Sequence, residues 1–364
     1  MKRYGYLADF LLDHSFMVKA IKEAAKGKNL KKRRDIAKVL ADPDYYADKA
    51  IFFIQNRLYV PAKPGIRIIK ERYSGKVRKI EMIPFFPDAV IQTAMVLALQ
   101  PIILKRMDPY SCGHVRGRGP QKCLTRIKSV LRKLSKSRRG KPAKVYYLYQ
   151  DVHHFYASID QGKLEAMLRR IIKDRYFLEL IIACFKVASR GLIIGTALSV
   201  WLSSLYLCEV DRLAHRCGVR YLVHYADDIV WIGVNRRKLV KAKGQTDRFL
   251  STLGLCTKDS WKCRAVQDCP LRFLSWRFCL RGKTMLKKDI WKDRGRMLLK
   301  PFQEIARRLG SAISKLGIIK STNHLLIDRE YGYMEKLTRL RSAMSLLTKG
   351  MLNGPNPKCL PEGV

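Results

Sequence analysis

Two adjacent acids, Asp227 and Asp228, sit between Tyr225 and the apolar triplet Ile229-Val230-Trp231, and a third, Asp151, closes an aromatic-rich run 76 residues upstream of Asp227. Apolar flanks place the Asp pair at a turn between strands, where packed carboxylates repel one another unless a cation offsets them. Neighbouring strand residues point to opposite faces, so a tight turn is needed before both acids can approach one site. Three carboxylates without a thiolate or imidazole cage suit magnesium, which takes a few carboxylates and completes its shell with water or phosphate oxygens. Two such ions about 4 Å apart can clamp the attacking and leaving oxygens of a phosphoryl transfer. Surface Asp pairs are common, but here only 30 of 364 residues are Asp or Glu, and the third acid ends a strand of its own. Asp160, at the start of a helical stretch, fits an N-cap better than a ligand.

The elements that must carry these acids can be read from periodicity. VYYLYQDVHHFYASID (145–160) begins as a strand that leaves its sheet at Asp151, and YLVHYADDIVWIGV (221–234) reads as two short strands around Ala226-Asp227-Asp228. Helices are expected at 161–173, 176–187, 196–218 and 236–253, and a strand or hairpin at 271–282. Upstream, residues 1–45 look helical and basic, 66–83 reads as a hairpin about Ser74-Gly75, and 88–106 as an apolar helix broken near Pro101. The remainder after 282 reads as mainly helical, with a loose tail.

Charge narrows the partners. With 73 Lys+Arg against 30 Asp+Glu, the net charge is +43, a field that attracts polyanions. RNA or DNA is the natural partner, although anionic membranes or acidic proteins could exploit charge alone. Ten Lys or Arg and no acid fall between Lys122 and Lys144, on a stretch whose apolar residues Leu124, Ile127, Leu131 and Leu134 recur with helical spacing. Ten cysteines show no paired CxxC knuckle, and ordinary reduced thiols are expected rather than zinc ligands. No apolar run is expected to span a bilayer, which points to a cytoplasmic protein without a membrane partner.

Taken together, several segments resemble the motifs of reverse transcriptases. YLVHYADDIV (221–230) resembles their YxDD signature, and QDVHHFYASID (150–160) their first catalytic strand. GLIIGTALSVWLSSLYLCEVD (191–211) is similar to their template-and-substrate helix, RYSGKVRKIEMIP (72–84) to the fingers hairpin, and PYSCGHVRGRGPQKC (109–123) to a fingers loop. GLCTKDSWK (254–262) and LRFLSWRF (271–278) match later palm and primer-grip elements, so the resemblance runs in order over about residues 60–290. Within that superfamily the chain is most similar to the error-prone enzymes of diversity-generating retroelements. These carry I-G-x-x-x-S-Q where intron and retron enzymes have Q-G-x-x-x-S-P; Ile194, Gly195 and Ser199 fit the former, while Val200 replaces its Gln. An antiphage-defence or unclassified bacterial reverse transcriptase is the alternative, and an RNA-binding scaffold with a relict palm is the non-enzymatic one.

The resemblance implies an α+β right-hand polymerase: N-terminal helices and fingers over 1–145, an antiparallel-sheet palm over 146–281 with a fingers-side insertion at 161–195, and a small helical thumb with a loose tail over 282–364. It implies two Mg²⁺ ions, replaceable by Mn²⁺, at Asp151, Val152, Asp227 and Asp228. Nucleotide contacts fall to Lys76, Arg78, Tyr156, Ile194, Gly195, Ser199 and Lys262, with Tyr156 as the steric barrier to a ribose 2′-hydroxyl. Lys258 competes with Lys262 for the role of protonating pyrophosphate. Arg116, Arg118, Lys133, Lys136, Arg138 and Arg139 would follow nucleic-acid phosphates. The implied partners are a structured template RNA, a primer or RNA–DNA duplex, dNTPs and a small basic helical accessory oligomer.

Overall fold

The computed structural model describes residues 3–70, 77–135, 143–258, 262–274, 276–278 and 284–286. The chain forms two compact units, one comprising residues 1–127 and 145–265, the other 128–144 and 266–364.

The first unit opens with four helices, α1 (Leu7–Leu12), α2 (His14–Ala25), α3 (Arg34–Ala41) and α4 (Pro43–Gln55). The hairpin expected at 66–83 is present as β1 (Gly65–Lys70) and β2 (Val77–Met82), paired antiparallel with Lys70 opposite Val77. A π-turn at Phe85–Ala89 leads into α5 (Val90–Leu104). The expected break near Pro101 does not occur: α5 runs through it. Proline removes one bond to the carbonyl four residues back, but the turn beyond it buries Ile102 and Ile103, which are 5% and 1% exposed, and that burial holds the turn. The segment Phe85–Leu104 is also long and apolar enough to cross a membrane by length and composition, contrary to the sequence expectation; it is 67% buried and packs against α2 as a core helix.

Next come α6 (Pro120–Leu134), which continues into the second unit, β3 (Tyr146–Asp151), α7 (Phe155–Ser158), α8 (Gln161–Ile171), α9 (Arg175–Lys186), α10 (Ala197–Arg216), β4 (Tyr221–Tyr225), β5 (Asp228–Gly233), α11 (Arg236–Thr252) and β6 (Arg264–Ala265). The strands form an antiparallel sheet in the order β4-β5-β3-β6. Leu148, Ile229, Val230 and Trp231 are fully buried in it. α5 packs against α10, and α10 against α11.

Side-chain caps fix where the helices start. As expected, Asp160 accepts from the Lys163 amide at 2.9 Å, starting α8. Asp174 caps α9 through the Phe177 amide at 3.0 Å, and its other oxygen takes the Ala8 amide of α1 at 2.8 Å. Thr196 and Asn235 cap α10 and α11 in the same way.

In the second unit, β7 (Leu271–Phe273), β8 (Trp276–Phe278) and β9 (Thr284–Leu286) form an antiparallel sheet in that order. Of the strand or hairpin expected at 271–282, the described residues form the β7–β8 pairing of Leu271–Phe273 with Trp276–Phe278. Of the expected helical remainder after 282, only Thr284–Leu286 is described, and it is a strand.

Candidate active site

Asp151 is the last residue of β3 and Asp228 the first of β5, and the two are direct cross-strand partners. Partners of this kind project from the same face, with β carbons about 5 Å apart. Tyr225 pairs with Asp228 to close the β4–β5 hairpin, which leaves Ala226 and Asp227 as a two-residue turn. That turn brings the second acid beside the first, as the spacing required. Ala226 has φ +57°, a left-handed conformation costing about 1–2 kcal/mol for a residue with a β carbon. Neighbours hold it there: a β carbon on Gly113 would lie 2.5 Å from the Ala226 nitrogen, so only glycine lets the 109–119 loop press against the turn.

The acids are electrostatically coupled. Burial, reinforced by the charges of Asp227 and Asp151, pushes the Asp228 carboxyl up to about 6, against a hydrogen bond from the Tyr149 hydroxyl and the more distant Lys258 charge. The Tyr149 hydroxyl is pushed up in turn, by burial first and Asp228 second. Lys258 forms an ion pair with Asp151, and the backbone places it there: the Lys258 amide donates to the Asp151 carbonyl at 3.2 Å, Val152 bridges Thr257, and the His153 amide donates to Cys256 at 2.9 Å. Both lysines that the sequence leaves open are exposed, and Lys258 is the one paired with the acidic cluster.

Tyr156 lies on α7, half-buried, and its hydroxyl accepts a 3.4 Å bond from Ser203. Burial, opposed by that bond and reinforced by Asp227, raises its pKa, which places the ring within reach of the turn's charge. The loop before α10 closes onto it: the Leu192 amide donates to the Tyr156 carbonyl at 2.9 Å. Gly191, at φ +66°, is required there, because a β carbon would sit 2.2 Å from that carbonyl. Gln161 secures the same loop by donating to the carbonyls of Phe185, Ala188 and Gly191. Gly195, at φ +110°, brings the loop against β2, where a β carbon would meet Ile80 at 3.2 Å. Ile194 is 41% exposed, whereas Ser199 is buried and bonded to Thr196 at 2.8 Å.

The remaining expected contacts are scattered. Arg116 is exposed and lines a cleft of about 640 Å³ together with Lys19, Lys26, Lys28, Arg33 and Gly195. Glu23 and Glu81 also face this cleft. Arg118 donates to the Asp108 carbonyl at 3.3 Å. Arg78 stands on β2 opposite Ile69, and Lys133 is exposed on α6. Lys76, Lys136, Arg138 and Arg139 lie outside the described residues. Sequence reasoning missed the roles of Tyr149, Gly113, Gly191 and Gln161; the available signal was the glycines of the two loops, Gly113, Gly117 and Gly119 in one and Gly191 and Gly195 in the other.

Among the described residues, no group of three or more His, Cys, Asp and Glu side chains forms a ready-made metal cage. Magnesium does not require one, since it binds through one or two carboxylates plus substrate phosphates and water. The all-oxygen donor set of Asp151, Asp227 and Asp228 fits that chemistry.

The antiparallel sheet β4-β5-β3-β6 with its packed helices fits a polymerase fold. The reverse transcriptase (RNA-dependent DNA polymerase) family model matches residues 63–278, more than half of the chain, and the chain belongs to that family. It is similar to Protein YkfC of Escherichia coli (strain K12), 26% identical over 169 residues that cover 44% of this chain and 42% of that protein. In fold it is similar to apo telomerase from Candida tropicalis, with a TM-score of 0.50 and 12% identity over 77% of this chain and 62% of that one. The chain therefore spans less than half of the first relative and under two thirds of the second.

The raised Asp228 has a consequence for stability. Its carboxyl holds a proton more tightly in the folded chain, at about 6, than at its ordinary value of 3.8. The native state thus binds more protons between about pH 4 and 6, and stability falls as pH rises through that window. In chelator, Asp228→Asn should raise the unfolding free energy at about pH 7.5 by on the order of 1–2 kcal/mol, after allowing for solvent screening, and flatten this pH dependence. Urea titrations at several pH values check both; an unchanged slope in D228N would assign the pH dependence to other groups.

Proposed function

We propose that this protein is an RNA-directed DNA polymerase that extends a primer 3′-hydroxyl with dNTPs on an RNA template. The observation that carries the reading is the cross-strand pairing of Asp151 with Asp228, with Asp227 in the adjoining turn, in a chain of the reverse transcriptase family. In this reading residues 146–281 are the palm, 1–145 the N-terminal helices and fingers, and 282–364 the thumb. Asp151 and Asp227 hold two divalent ions, Asp228 completes the acidic cluster, and Val152, whose side chain is apolar and buried, adds only its backbone carbonyl. Magnesium bound there supplies Lewis acidity to the primer hydroxyl and to the departing pyrophosphate.

The chain's own groups do the rest. Lys258, already paired with Asp151, is the better-placed candidate to give a proton to pyrophosphate. Tyr156, steadied by Ser203, packs under the incoming sugar and excludes a 2′-hydroxyl. Arg78, with Lys76, binds the triphosphate from the hairpin, because a guanidinium fork matches phosphate oxygens. The basic cleft at Lys19, Lys26, Lys28, Arg33 and Arg116 suits a template backbone, with affinity falling steeply as salt rises.

A narrower role follows from Ile194. In relatives with Gln at this position, the amide can hydrogen-bond near the template nucleotide; Ile offers neither donor nor acceptor. We therefore read the enzyme as error-prone, in the manner of diversity-generating retroelements, working with a structured RNA and a basic helical accessory oligomer.

Primer extension on an RNA template tests the activity. Asp227→Ala and Asp151→Ala should each abolish magnesium-dependent dNTP incorporation while leaving RNA affinity within about twofold, since a metal ligand is lost but the basic surface is not. Full extension by either variant would rule out the assigned site. On the same template, Tyr156→Ala should lower the dNTP over rNTP preference at least about tenfold, a change of about 1.4 kcal/mol. An unchanged ratio assigns Tyr156 to packing alone. Deep sequencing of the cDNA then separates the narrower role: Ile194→Gln should reduce misincorporation, above all opposite template adenine. Uniformly low error in both enzymes would remove the retroelement role and leave the polymerase.

A further inference from the structure

On the helix-backed face of the same sheet lies a second, fully buried polar pair. His224 of β4 and Asp211 of α10 are 3% and 1% exposed. The imidazole Nδ1 is 3.0 Å from Oδ2 of Asp211 and 3.2 Å from Oδ1, and Nε2 is 2.7 Å from the Ala226 carbonyl oxygen. A carbonyl can only accept, so Nε2 carries a proton; Nδ1 lies almost equally far from both Asp211 oxygens, the placement of a donor facing a carboxylate, which gives that nitrogen a proton as well. With both nitrogens protonated, the ring is an imidazolium.

The main chain of His224 is held too. Its amide donates to the Tyr110 carbonyl at 3.0 Å, and its carbonyl accepts from the Cys112 amide at 2.6 Å. The loop that supplies these bonds presses Gly113 against Ala226. One residue therefore ties three supports together: its ring joins α10 to the catalytic turn, and its main chain holds the 109–119 loop.

The charged and titratable groups facing it are Asp211 from α10, Asp227 from the turn and the Cys112 thiol from the loop. Burial opposes the charge on the ring, but Asp211, the Ala226 carbonyl and the charge of Asp227 outweigh it, and the net shift is upward. The attraction to Asp227 is mutual.

We propose that His224 is a positioning residue: a buried imidazolium, fixed by Asp211, that clamps the Ala226 carbonyl and so sets the orientation of the Asp227 carboxylate. The clamp explains how alanine is kept in a left-handed turn where hairpins ordinarily use glycine or asparagine. Its effect on catalysis rests on the polymerase reading above; the charge state of the ring does not.

Two measurements test it. In protein labelled with ¹⁵N-histidine, His224, assigned by the signal lost on its substitution, should show protons on both ring nitrogens at about pH 8, where an ordinary histidine is neutral. A singly protonated ring overturns the clamp whatever the enzyme's activity. The second measurement compares His224→Phe combined with Asp211→Leu against the unsubstituted enzyme. Replacing a buried ion pair with apolar residues of similar size commonly preserves the fold, so a merely structural role is rescued in the double variant. A positioning role is not: kcat for dNTP incorporation should fall about 10–100-fold, with KM for dNTP and the RNA Kd within about twofold. Retention of kcat within about twofold overturns the proposal. Asp211→Asn, which keeps the side-chain volume but removes the counter-charge, should lower kcat in the same direction and return Nδ1 to the unprotonated form, and a ring still doubly protonated in that variant counts against the pairing.

Discussion

Three carboxylates drawn together at the end of a half-buried sheet repel one another, and the surrounding structure is organised by that repulsion. The β3–β5 register sets Asp151 directly opposite Asp228, and the hairpin turn adds Asp227. At an effective dielectric of about 20, unit charges about 4 Å apart repel by roughly 4 kcal/mol, a large fraction of a domain's net stability. The partners of the cluster all act against this cost. Lys258 offsets Asp151, and the Tyr149 hydroxyl bonds Asp228. Asp228 nevertheless keeps a raised pKa, so the compensation is incomplete. That residual repulsion is what a bound cation would relieve in the proposed function.

Holding the acids also requires backbone that ordinary side chains would obstruct. Gly113 presses on Ala226, Gly191 on the Tyr156 carbonyl, and Gly195 on β2. The contacts at Gly113 and Gly191 bring a loop against main chain, and that at Gly195 brings one against the Ile80 side chain. The Gln161 side-chain amide, within hydrogen-bond distance of the Phe185, Ala188 and Gly191 carbonyls, ties the loop that carries Gly191 to the end of α9. The site is thus positioned by main-chain contacts more than by interlocking side chains, and a single added methyl group at Gly113 or Gly191 would have to displace backbone.

What could be seen in the sequence follows from how far apart the interacting residues lie. The acids, the β4–β5 turn, the Asp160 cap and the helices around them are local patterns, visible in windows of a few residues. The break at Pro101 was misjudged because local propensity omits the burial of Ile102 and Ile103 beyond it. Lys258 could not be preferred over Lys262, because its pairing with Asp151 spans 107 positions and depends on the Val152–Thr257 bridge. Tyr149 looked like one aromatic among several on its strand; only the β3–β5 pairing, which sets it opposite Val230, brings its hydroxyl to Asp228 two positions along. His224 and Asp211 are only 13 residues apart, yet no periodicity links the helix they join to the turn they support.

The net charge of +43 and the acidic cluster act at different ranges, which explains how one chain can carry both. At physiological ionic strength a charge is screened over about 8 Å, so the many surface cations draw a polyanion to the protein without fixing any atom of it. The carboxylates matter only in contact, where two or three of them can hold a cation against the competing ammonium of Lys258. On the proposed function, a phosphate backbone drawn in by that field would meet a site of the opposite sign, which it could enter only with cations between itself and the acids. In the proposed polymerase the two features are complementary: without an intervening cation, a polyanion that the surface attracts would be repelled at the last few ångströms.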